Sequence, residues 1–342
     1  MRIVALSEVL PGEPVTNRDL AMRFGLHEQW LDQMTENRTR YFCNLDSPPG
    51  VPKSTGDLAT QAGLDVLATA GLGPADIEFL ILTTASPDHL MPATVNLVAD
   101  RLGINNVPTL QITSGCAGAL QGLFTARAFL ATGLRRGLVI GADTCLKLWP
   151  SSRSVDQMKP AEMINFALFG DGAGAAIVDS DDQGAGLIVE HLFLRTIGLG
   201  RKPAQIVKWF GVEGAQPGEA MGDEDYKAIE KHVPQVAADI LAELQTVQGW
   251  NIEDVEHVLT PQLNGLMTEK IRKFLGVRPE QAVSCVAETG NSGNALPFIQ
   301  LRRLLNRIDA GVGENGRVLV ATVESSKWVM SGMALRHSGV SL

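Results

Sequence analysis

Apolar and polar residues follow one another in a pattern of short buried strands and longer amphipathic helices. Uninterrupted apolar runs at residues 79–84 and 137–142 predict buried strands. Residues 54–69 carry apolar side chains at helical spacing and are followed by Gly71 and Gly73, a typical end of a helix. Because such helices and strands alternate along the chain, the pattern predicts a layered α/β fold with helices packed on sheets.

The same pattern occurs twice in the chain. The first copy begins at residues 76–84 with an apolar strand, continues through a helical segment and reaches a small-residue corner at Cys116. The second copy begins at residues 254–260 and reaches a similar corner at Asn291 after nearly the same distance. Self-similarity of this kind indicates two copies of one structural unit.

We therefore expect two halves, residues 1–179 and residues 180–342, packed about a pseudo-two-fold axis. Cys116 in the first half and Asn291 in the second then occupy matching strand-to-helix corners. From these positions both side chains are predicted to face one pocket.

Cys116 is the strongest candidate for chemistry. It lies between an apolar run at residues 107–112 and a helical pattern that begins near Ala119, which places the thiol in the first turn of a helix. Free backbone N–H groups and the positive end of the helix dipole favour an anion there, so we expect a more populated, more nucleophilic thiolate. The alternative is a buried structural cysteine. The presence of the amide of Asn291 at the matching corner of the second half favours a catalytic thiol instead.

Composition excludes several classes of function. The chain of 342 residues has a net charge of −9, which disfavours nucleic-acid or anionic-membrane partners. Its cysteines, Cys43, Cys116, Cys145 and Cys285, are scattered and form no disulfide or zinc pattern. No stretch is long and apolar enough to span a bilayer. We expect a cytoplasmic enzyme without a metal or a bound cofactor.

The order and spacing of short motifs resemble the ketoacyl-synthase III group of the thiolase superfamily over nearly the whole chain. The matching features are Pro11 with residues 17–20, Trp30, residues 38–40, residues 83–88, Pro92 with its helix, residues 116–118, residues 170–175 and residues 290–292. The resemblance implies a homodimer of five-layered αβαβα subunits. It also implies that a cysteine takes an acyl group from a CoA or acyl-carrier-protein thioester.

On this resemblance Cys116 is the nucleophile and Asn291 is the amide that hydrogen-bonds the carbonyl oxygen of the second thioester. The histidine of the family motif Pro-His-Gln-x-Asn is missing, because residues 260–264 read Thr-Pro-Gln-Leu-Asn. Pro261 occupies the histidine position without gaps, and Gln262 occupies it after a slip of one residue. Neither side chain is a base, although the amide of Gln262 can donate a hydrogen bond.

Other positions carry further expectations from the resemblance. The glycine-rich stretch that follows the final strand in the family is replaced by residues 324–328, where Ser325 and Ser326 are predicted to support the acyl oxyanion site. Trp30, Met91 and Asn264 are predicted substrate-binding residues, with Met91 at the place where one subunit closes the acyl pocket of its partner. A CoA-contacting arginine of the family is replaced by Met34.

Three functions remain open at this point. The leading prediction is an acyltransferase that loads an acyl group onto Cys116 and passes it to an acceptor in fatty-acid, polyketide or other natural-product biosynthesis. The alternatives are a decarboxylative 3-oxoacyl synthase III and a non-catalytic ketosynthase-like subunit of a complex. An acidic carrier protein needs a basic docking patch, for which the candidates are Lys270, Arg272, Lys273, Arg201, Lys202 and Lys208.

Overall fold

The computed structural model describes residues 1–43, 50–148, 160–208, 222–309 and 316–338. Its strands are β1 (Arg2–Val9), β2 (Val15–Thr16), β3 (Thr39–Arg40), β4 (Phe79–Thr84), β5 (Thr109–Thr113), β6 (Arg136–Asp143), β7 (Gly172–Asp179), β8 (Leu187–Thr196), β9 (Gln205–Val207), β10 (Gly222–Glu224), β11 (His257–Leu259), β12 (Arg317–Glu324) and β13 (Val329–His337). Its α-helices are α1 (Asn17–Phe24), α2 (Glu28–Thr35), α3 (Thr55–Ala70), α4 (Thr94–Leu102), α5 (Gly118–Ala131), α6 (Pro160–Leu168), α7 (Tyr226–Gln248), α8 (Gly265–Phe274), α9 (Val286–Thr289) and α10 (Leu296–Asp309).

The main sheet contains the predicted repeat in its strand order and direction. Its order is β5-β4-β6-β7-β1 followed by β8-β13-β12-β11. In the first part β4 runs parallel to β6, which is antiparallel to β7, which is antiparallel to β1. In the second part β11, β12, β13 and β8 follow the same sequence of directions. The two parts meet where Arg2 and Ile3 of β1 pair with Ile188 and Leu187 of β8.

Helices divide the fold into five layers. Helix α5 contacts β4 and β6 of the first part and β8 and β13 of the second, and α10 contacts β7, β1 and β11. These two helices therefore form a central layer between the two parts of the sheet. Helix α3 covers the outer side of β1, β6 and β7, and α7 covers that of β12 and β13. The predicted αβαβα arrangement is confirmed.

The central position of α5 explains its composition. A helix enclosed by sheet on two sides has little surface for polar residues, and the buried residues of α5 are Gly118, Ala119, Leu120, Gly122, Leu123 and Ala126. Helix α3 shows the expected local signals, because the Ser54 side chain accepts a hydrogen bond from the Asp57 N–H at its start and Gly71 adopts a left-handed conformation at its end. In the described residues no helix has the length and hydropathy of a membrane span.

A close backbone approach joins the two halves at β6. A Cβ atom on Gly141 would overlap the carbonyl oxygen of Asn294, which precedes α10. Backbone cannot move aside as a flexible side chain can, so only glycine fits at this position without a shift of one element.

We expect Gly141→Ala to lower the free energy of unfolding by about 2–3 kcal/mol, as is usual for overpacking of a buried site. Urea unfolding followed by circular dichroism measures this change. Gly73→Ala is the matched control, because its Cβ would meet only the end of the Asp76 side chain at 3.8 Å. Equal stability of the two variants would show that the approach of α10 to β6 is not tight.

Candidate functional site

A cavity of about 600 Å³ opens where β4, β5, β6 and β12 end, and Cys116 lies in its wall. These four strands end at Thr84, Thr113, Asp143 and Glu324. The carboxyl ends of parallel strands from both halves therefore meet at one place, which is where α/β folds commonly bind ligands.

The thiol of Cys116 is held in the turn that leads into α5. The N–H of Gly118 donates to the carbonyl oxygen of Gly115 at 2.9 Å and closes this turn. A Cβ atom on Gly118 would overlap the side-chain oxygen of Asn294. The start of the cysteine helix is thus packed directly against the start of the matching helix of the other half.

Asp143 and Asn294 connect the two halves beneath Cys116. One oxygen of the Asp143 carboxylate accepts hydrogen bonds from the backbone N–H and the side-chain amide of Asn294, each at 2.8 Å. The same amide donates to the carbonyl oxygen of Ser114 at 2.7 Å. The other carboxylate oxygen accepts hydrogen bonds from three groups at the end of β4 and directly after it, namely the hydroxyls of Thr84 and Ser86 and the N–H of Ala85. Burial raises the pKa of Asp143 despite these donors.

The expectation of a populated thiolate at Cys116 is wrong. Burial raises the pKa of the Cys116 thiol to about 12, and the carboxylates of Glu324, Asp143 and Glu224 act in the same direction. Cys116 is half-buried as a residue and lines the cavity, but the surrounding protein removes most of the water that would solvate an anion at its sulfur. Desolvation and negative neighbours here outweigh the helix dipole, whose effect is about 1 kcal/mol.

Glu324, at the end of β12, is bound directly to the turn at residues 114–118 that holds Cys116, called the cysteine turn below. One of its oxygens accepts hydrogen bonds from the hydroxyl of Ser114 at 2.6 Å and from the N–H of Gly115 at 3.0 Å. Its other oxygen accepts one from the hydroxyl of Ser326. The sequence contained Glu324 only as the first residue of an altered loop, and gave no signal of these contacts.

Lys147 is a second cavity residue that sequence reasoning missed. Its ammonium group donates to the carbonyl oxygens of Ser86 and Pro87 and lies 3.7 Å from the carboxylate of Asp88. Burial lowers the pKa of Lys147. The side chain therefore ties the loop after β4 to the segment after β6, and fixes one wall of the cavity.

Asn291 lies just behind the cavity wall. Its carbonyl oxygen accepts hydrogen bonds from the N–H of Gly170, at 3.1 Å, and from the thiol of Cys145, with a donor–acceptor distance of 3.9 Å. Its side-chain oxygen accepts one from the N–H of Gly293 at 3.1 Å. Gly293 and Cys145 line the cavity together with Cys116. The role of Asn291 toward a substrate carbonyl stays a prediction.

Gln262 is bound to the backbone. Its amide donates to the carbonyl oxygen of Val283 at 2.9 Å, and its oxygen accepts from the N–H groups of Cys285 and Val286 at 3.0 and 2.9 Å. These contacts hold the end of β11 against the loop before α9, and Gln262 is not among the residues of the cavity wall. Of the described residues that line the cavity, none is a histidine, and His257 is buried in β11.

The predicted oxyanion loop takes a strained shape. Ser326 lines the cavity, whereas the carbonyl oxygen of Ser325 accepts a hydrogen bond from the N–H of Ala204 at 3.0 Å. Trp328 adopts a φ of 63°, an uncommon conformation for a bulky residue. Its buried indole donates to the carbonyl oxygen of Lys202 at 2.9 Å. The loop is thus fastened to the segment that leads into β9.

The three predicted substrate-binding residues are not brought to the cavity of the single chain. Trp30 packs in a small cluster with Leu20 and Leu31. Met91 is 88% exposed, and its neighbour Leu90 lines the cavity instead. Asn264 caps α8 by accepting a hydrogen bond from the N–H of Met267 at 2.8 Å. Their contacts with a substrate stay predictions.

The basic residues of α8 are paired with acidic neighbours. Lys270 lies 3.0 Å from Glu230, and Arg272 and Lys273 both contact Glu269. In the other candidate group Lys208 lines the cavity, and residues 209–221 lie outside the described residues. In the described ranges no group of three His, Cys, Asp and Glu side chains is placed to hold a metal ion.

Comparison with known proteins gives consistent matches along the chain. Residues 110–194 match the model of 3-oxoacyl-[acyl-carrier-protein] synthase III, and residues 246–323 match the model of its C-terminal part. The beta-ketoacyl-[acyl-carrier-protein] synthase III of Neisseria gonorrhoeae (strain NCCP11945) is 30% identical over 329 residues, which cover 91% of this chain and 95% of the relative.

Solved structures extend these matches. A protein described as "AbyA1 - tetronic acid condensing enzyme" superimposes with a TM-score of 0.90 at 41% identity, covering 98% of this chain and 99% of that one. The 3-oxoacyl-(acyl carrier protein) synthase III of Pseudomonas aeruginosa PAO1 superimposes with a TM-score of 0.82 at 23% identity, covering 98% of both chains. The second likeness shows the thiolase-like fold.

The protonation state of Cys116 is open to measurement. With a pKa of about 12, the rate of its alkylation by iodoacetamide should rise about tenfold per pH unit from pH 7 to pH 10, because only the thiolate reacts. Mass spectrometry of the peptide that contains Cys116 measures this rate, and Cys116→Ala gives the background from the other thiols. A plateau below pH 8 would contradict the raised pKa.

Proposed function

Since the chain belongs to the beta-ketoacyl-[acyl-carrier-protein] synthase III family, we propose that Cys116 takes an acyl group from a CoA or acyl-carrier-protein thioester and passes it to an acceptor. The observation that carries this proposal is the half-buried Cys116 in the wall of a cavity of about 600 Å³. That volume fits a medium-sized acyl thioester. The opposite helix start at Asn294 fixes the thiol in place.

Loading needs removal of the thiol proton at the moment of attack. The sulfur attacks the carbonyl carbon, the carbon–sulfur bond of the donor breaks, and the thiol proton passes to the departing thiolate. Because the pKa of Cys116 is about 12 in the free enzyme, the thiol stays protonated until a donor fills the cavity. This arrangement keeps an unloaded enzyme resistant to oxidation and stray electrophiles.

The second half-reaction is proposed to proceed without loss of CO2. A decarboxylating synthase uses two hydrogen-bond donors for the enolate oxygen, and loss of one such donor costs about 3–4 kcal/mol. On the family resemblance, Pro261 takes the histidine position without gaps and Gln262 takes it after a slip of one residue, and the amide of Gln262 is bound to Val283. Transfer of the acyl group to a nucleophile that needs no decarboxylation fits these residues better.

The tetronic acid condensing enzyme among the structural neighbours suggests such a reaction. A tetronic acid ring forms when a β-ketoacyl group joins a 2-hydroxyacyl thioester through one C–O and one C–C bond. The hydroxyl oxygen attacks the acyl carbon on Cys116, which leaves as the thiol. The carbon between the ketone and the new ester carbonyl then loses its acidic proton and attacks the carbonyl carbon of the second thioester; the carbon–sulfur bond breaks, and the departing thiolate takes up a proton. We propose this reaction class for the chain.

The assembly is proposed to be a cytoplasmic homodimer. Leu90 and Met91 are adjacent and are 67% and 88% exposed in the single chain, and Leu90 lines the cavity. Adjacent exposed apolar side chains suit contact with a second copy, and the family resemblance, which implies a homodimer, supports this proposal.

Incubation with acyl-CoA or acyl-carrier-protein donors should add one acyl mass to the intact protein. Cys116→Ala should remove the adduct, and Cys43→Ala, which removes the other partly accessible free thiol, should retain it. Intact-protein mass spectrometry measures both. If the wild type gains no adduct from any donor, the acyl-transfer proposal fails, and the result favours a non-catalytic ketosynthase-like subunit of a complex.

Products distinguish the proposed condensation from the decarboxylative alternative. With a β-ketoacyl donor and a 2-hydroxyacyl thioester, we expect release of two thiols per ring formed, measured with a thiol reagent and by mass spectrometry of the product. With a malonyl thioester as acceptor, release of CO2 should stay at the level of Cys116→Ala. Turnover with malonyl thioester at more than a few per cent of the condensation rate would support the synthase III reaction instead.

A further inference from the structure

Glu324 is a carboxylate that the cavity holds in a fixed position beside the cysteine turn. It ends β12, is 7% exposed and lines the cavity with Cys116 and Ser326. A Cβ atom on Gly115 would lie 3.4 Å from the Glu324 side-chain carboxyl carbon. The carboxylate therefore lies over the residue directly before Cys116.

The carboxylate of Glu324 can accept one hydrogen bond more than the three it accepts from the protein. Two carboxylate oxygens offer about four acceptor sites. Three are taken by the hydroxyl of Ser114, the N–H of Gly115 and the hydroxyl of Ser326. Three donors orient the group and leave one site for a proton of a bound molecule.

Asp143, Asp88 and Lys147 are three other charged groups of the cavity wall, and contacts within the protein hold each of them. Asp143 accepts five hydrogen bonds from groups of the protein. Asp88 accepts from the start of α3, namely the Ser54 hydroxyl and the N–H groups of Thr55 and Gly56. Lys147 is held by two carbonyl oxygens and Asp88. Among the described groups that line the cavity, Glu324 is best placed to exchange a proton.

We propose that Glu324 is the general base of the transfer step, which accepts the proton of the incoming acceptor as the acceptor attacks the acyl group on Cys116. This inference rests on the acyl-enzyme of the proposed function. It assigns to a carboxylate from the end of β12 the proton transfer for which no histidine is present in the described cavity wall.

The step balances as a proton transfer coupled to acyl transfer. The proton on the oxygen or carbon of the acceptor moves to the Glu324 carboxylate, and the electron pair it leaves behind forms the bond to the acyl carbon. The bond between this carbon and the Cys116 sulfur breaks, and the sulfur takes the proton back from Glu324. Enzyme and carboxylate return to their starting states without an oxidant or a further co-reactant.

The same carboxylate opposes the thiolate of the free enzyme, since it raises the pKa of Cys116. The two half-reactions are therefore expected to respond differently to its removal. Loss of the negative charge makes the thiolate easier to form, whereas loss of the base slows proton removal from the acceptor. A purely structural support of the cysteine turn would affect both half-reactions in the same direction.

Glu324→Gln tests the proposal with the geometry preserved. The amide oxygen can accept from Ser114 and Gly115, and the amide nitrogen can donate to the Ser326 hydroxyl. Loss of the negative charge should lower the pKa of Cys116. The rate of alkylation of Cys116 at pH 8 should therefore exceed that of the wild type, by about tenfold if the pKa falls by one. Acyl loading should be at least as fast as in the wild type. Single-turnover transfer from the isolated acyl-enzyme to the acceptor should fall about 100-fold or more, the usual effect of losing a general base.

Two further variants complete the design. Glu256→Gln is the matched control, because Glu256 accepts a hydrogen bond from the N–H of Gly316 and is not part of the cavity wall; it should leave loading and transfer unchanged. Glu324→Asp keeps a carboxylate and should recover at least tenfold of the transfer rate lost in Glu324→Gln.

The outcomes separate this inference from the proposed function. Transfer at the wild-type rate in Glu324→Gln would overturn the base assignment, as would equal slowing of loading and transfer. Recovery by Glu324→Asp together with undiminished loading supports it. Failure of the wild type to form an acyl-enzyme would reject the proposed function itself, before Glu324 is tested.

Discussion

The contact between Asp143 and Asn294 is the interaction on which the site depends. Asp143 ends β6 in one half of the fold and Asn294 precedes α10 in the other. Their hydrogen bonds join the two halves, and the amide of Asn294 also holds the carbonyl oxygen of Ser114 beside Cys116. The position of the thiol is therefore set by the packing of the halves, and not by the cysteine helix alone.

The electrostatics of the cavity follow from this construction. Joining the halves around one carboxylate brings Asp143, Glu324 and Glu224 close enough to affect Cys116. The helix start supplies partial positive charge, but burial and these acids prevail in the free enzyme. In the proposed reaction the proton and the acyl group therefore move together, without a thiolate formed in advance as in many cysteine enzymes.

The sequence was informative where the relevant signals are local. Apolar periodicity and glycine positions marked the strands β4 and β6, the helix α3 and the repeat that relates Cys116 to Asn291. It was uninformative where the signal depends on how the two halves pack against each other. Ser114 and Glu324 are 210 positions apart, and β5 and β12 stand near opposite ends of the strand order, so only the packing of the halves places these two residues together. The sign of the shift in the pKa of Cys116 also required the surrounding volume, which a helix start in the sequence does not reveal.

The loop between β12 and β13 has a consequence for the choice of substrates. The carbonyl oxygen of Trp328 accepts a hydrogen bond from the N–H of Ile197, and its indole N–H donates to the carbonyl oxygen of Lys202. The carbonyl oxygen of Ser325 accepts one from the N–H of Ala204. The chain continues from there into β9, whose Gln205 and Val207 line the cavity. Hydrogen bonds thus hold the loop between β12 and β13 and the segment before β9 together at the cavity mouth. A change in the shape of the cavity mouth must therefore replace both the loop between β12 and β13 and the segment before β9, because replacing one alone removes the hydrogen-bond partners of the other.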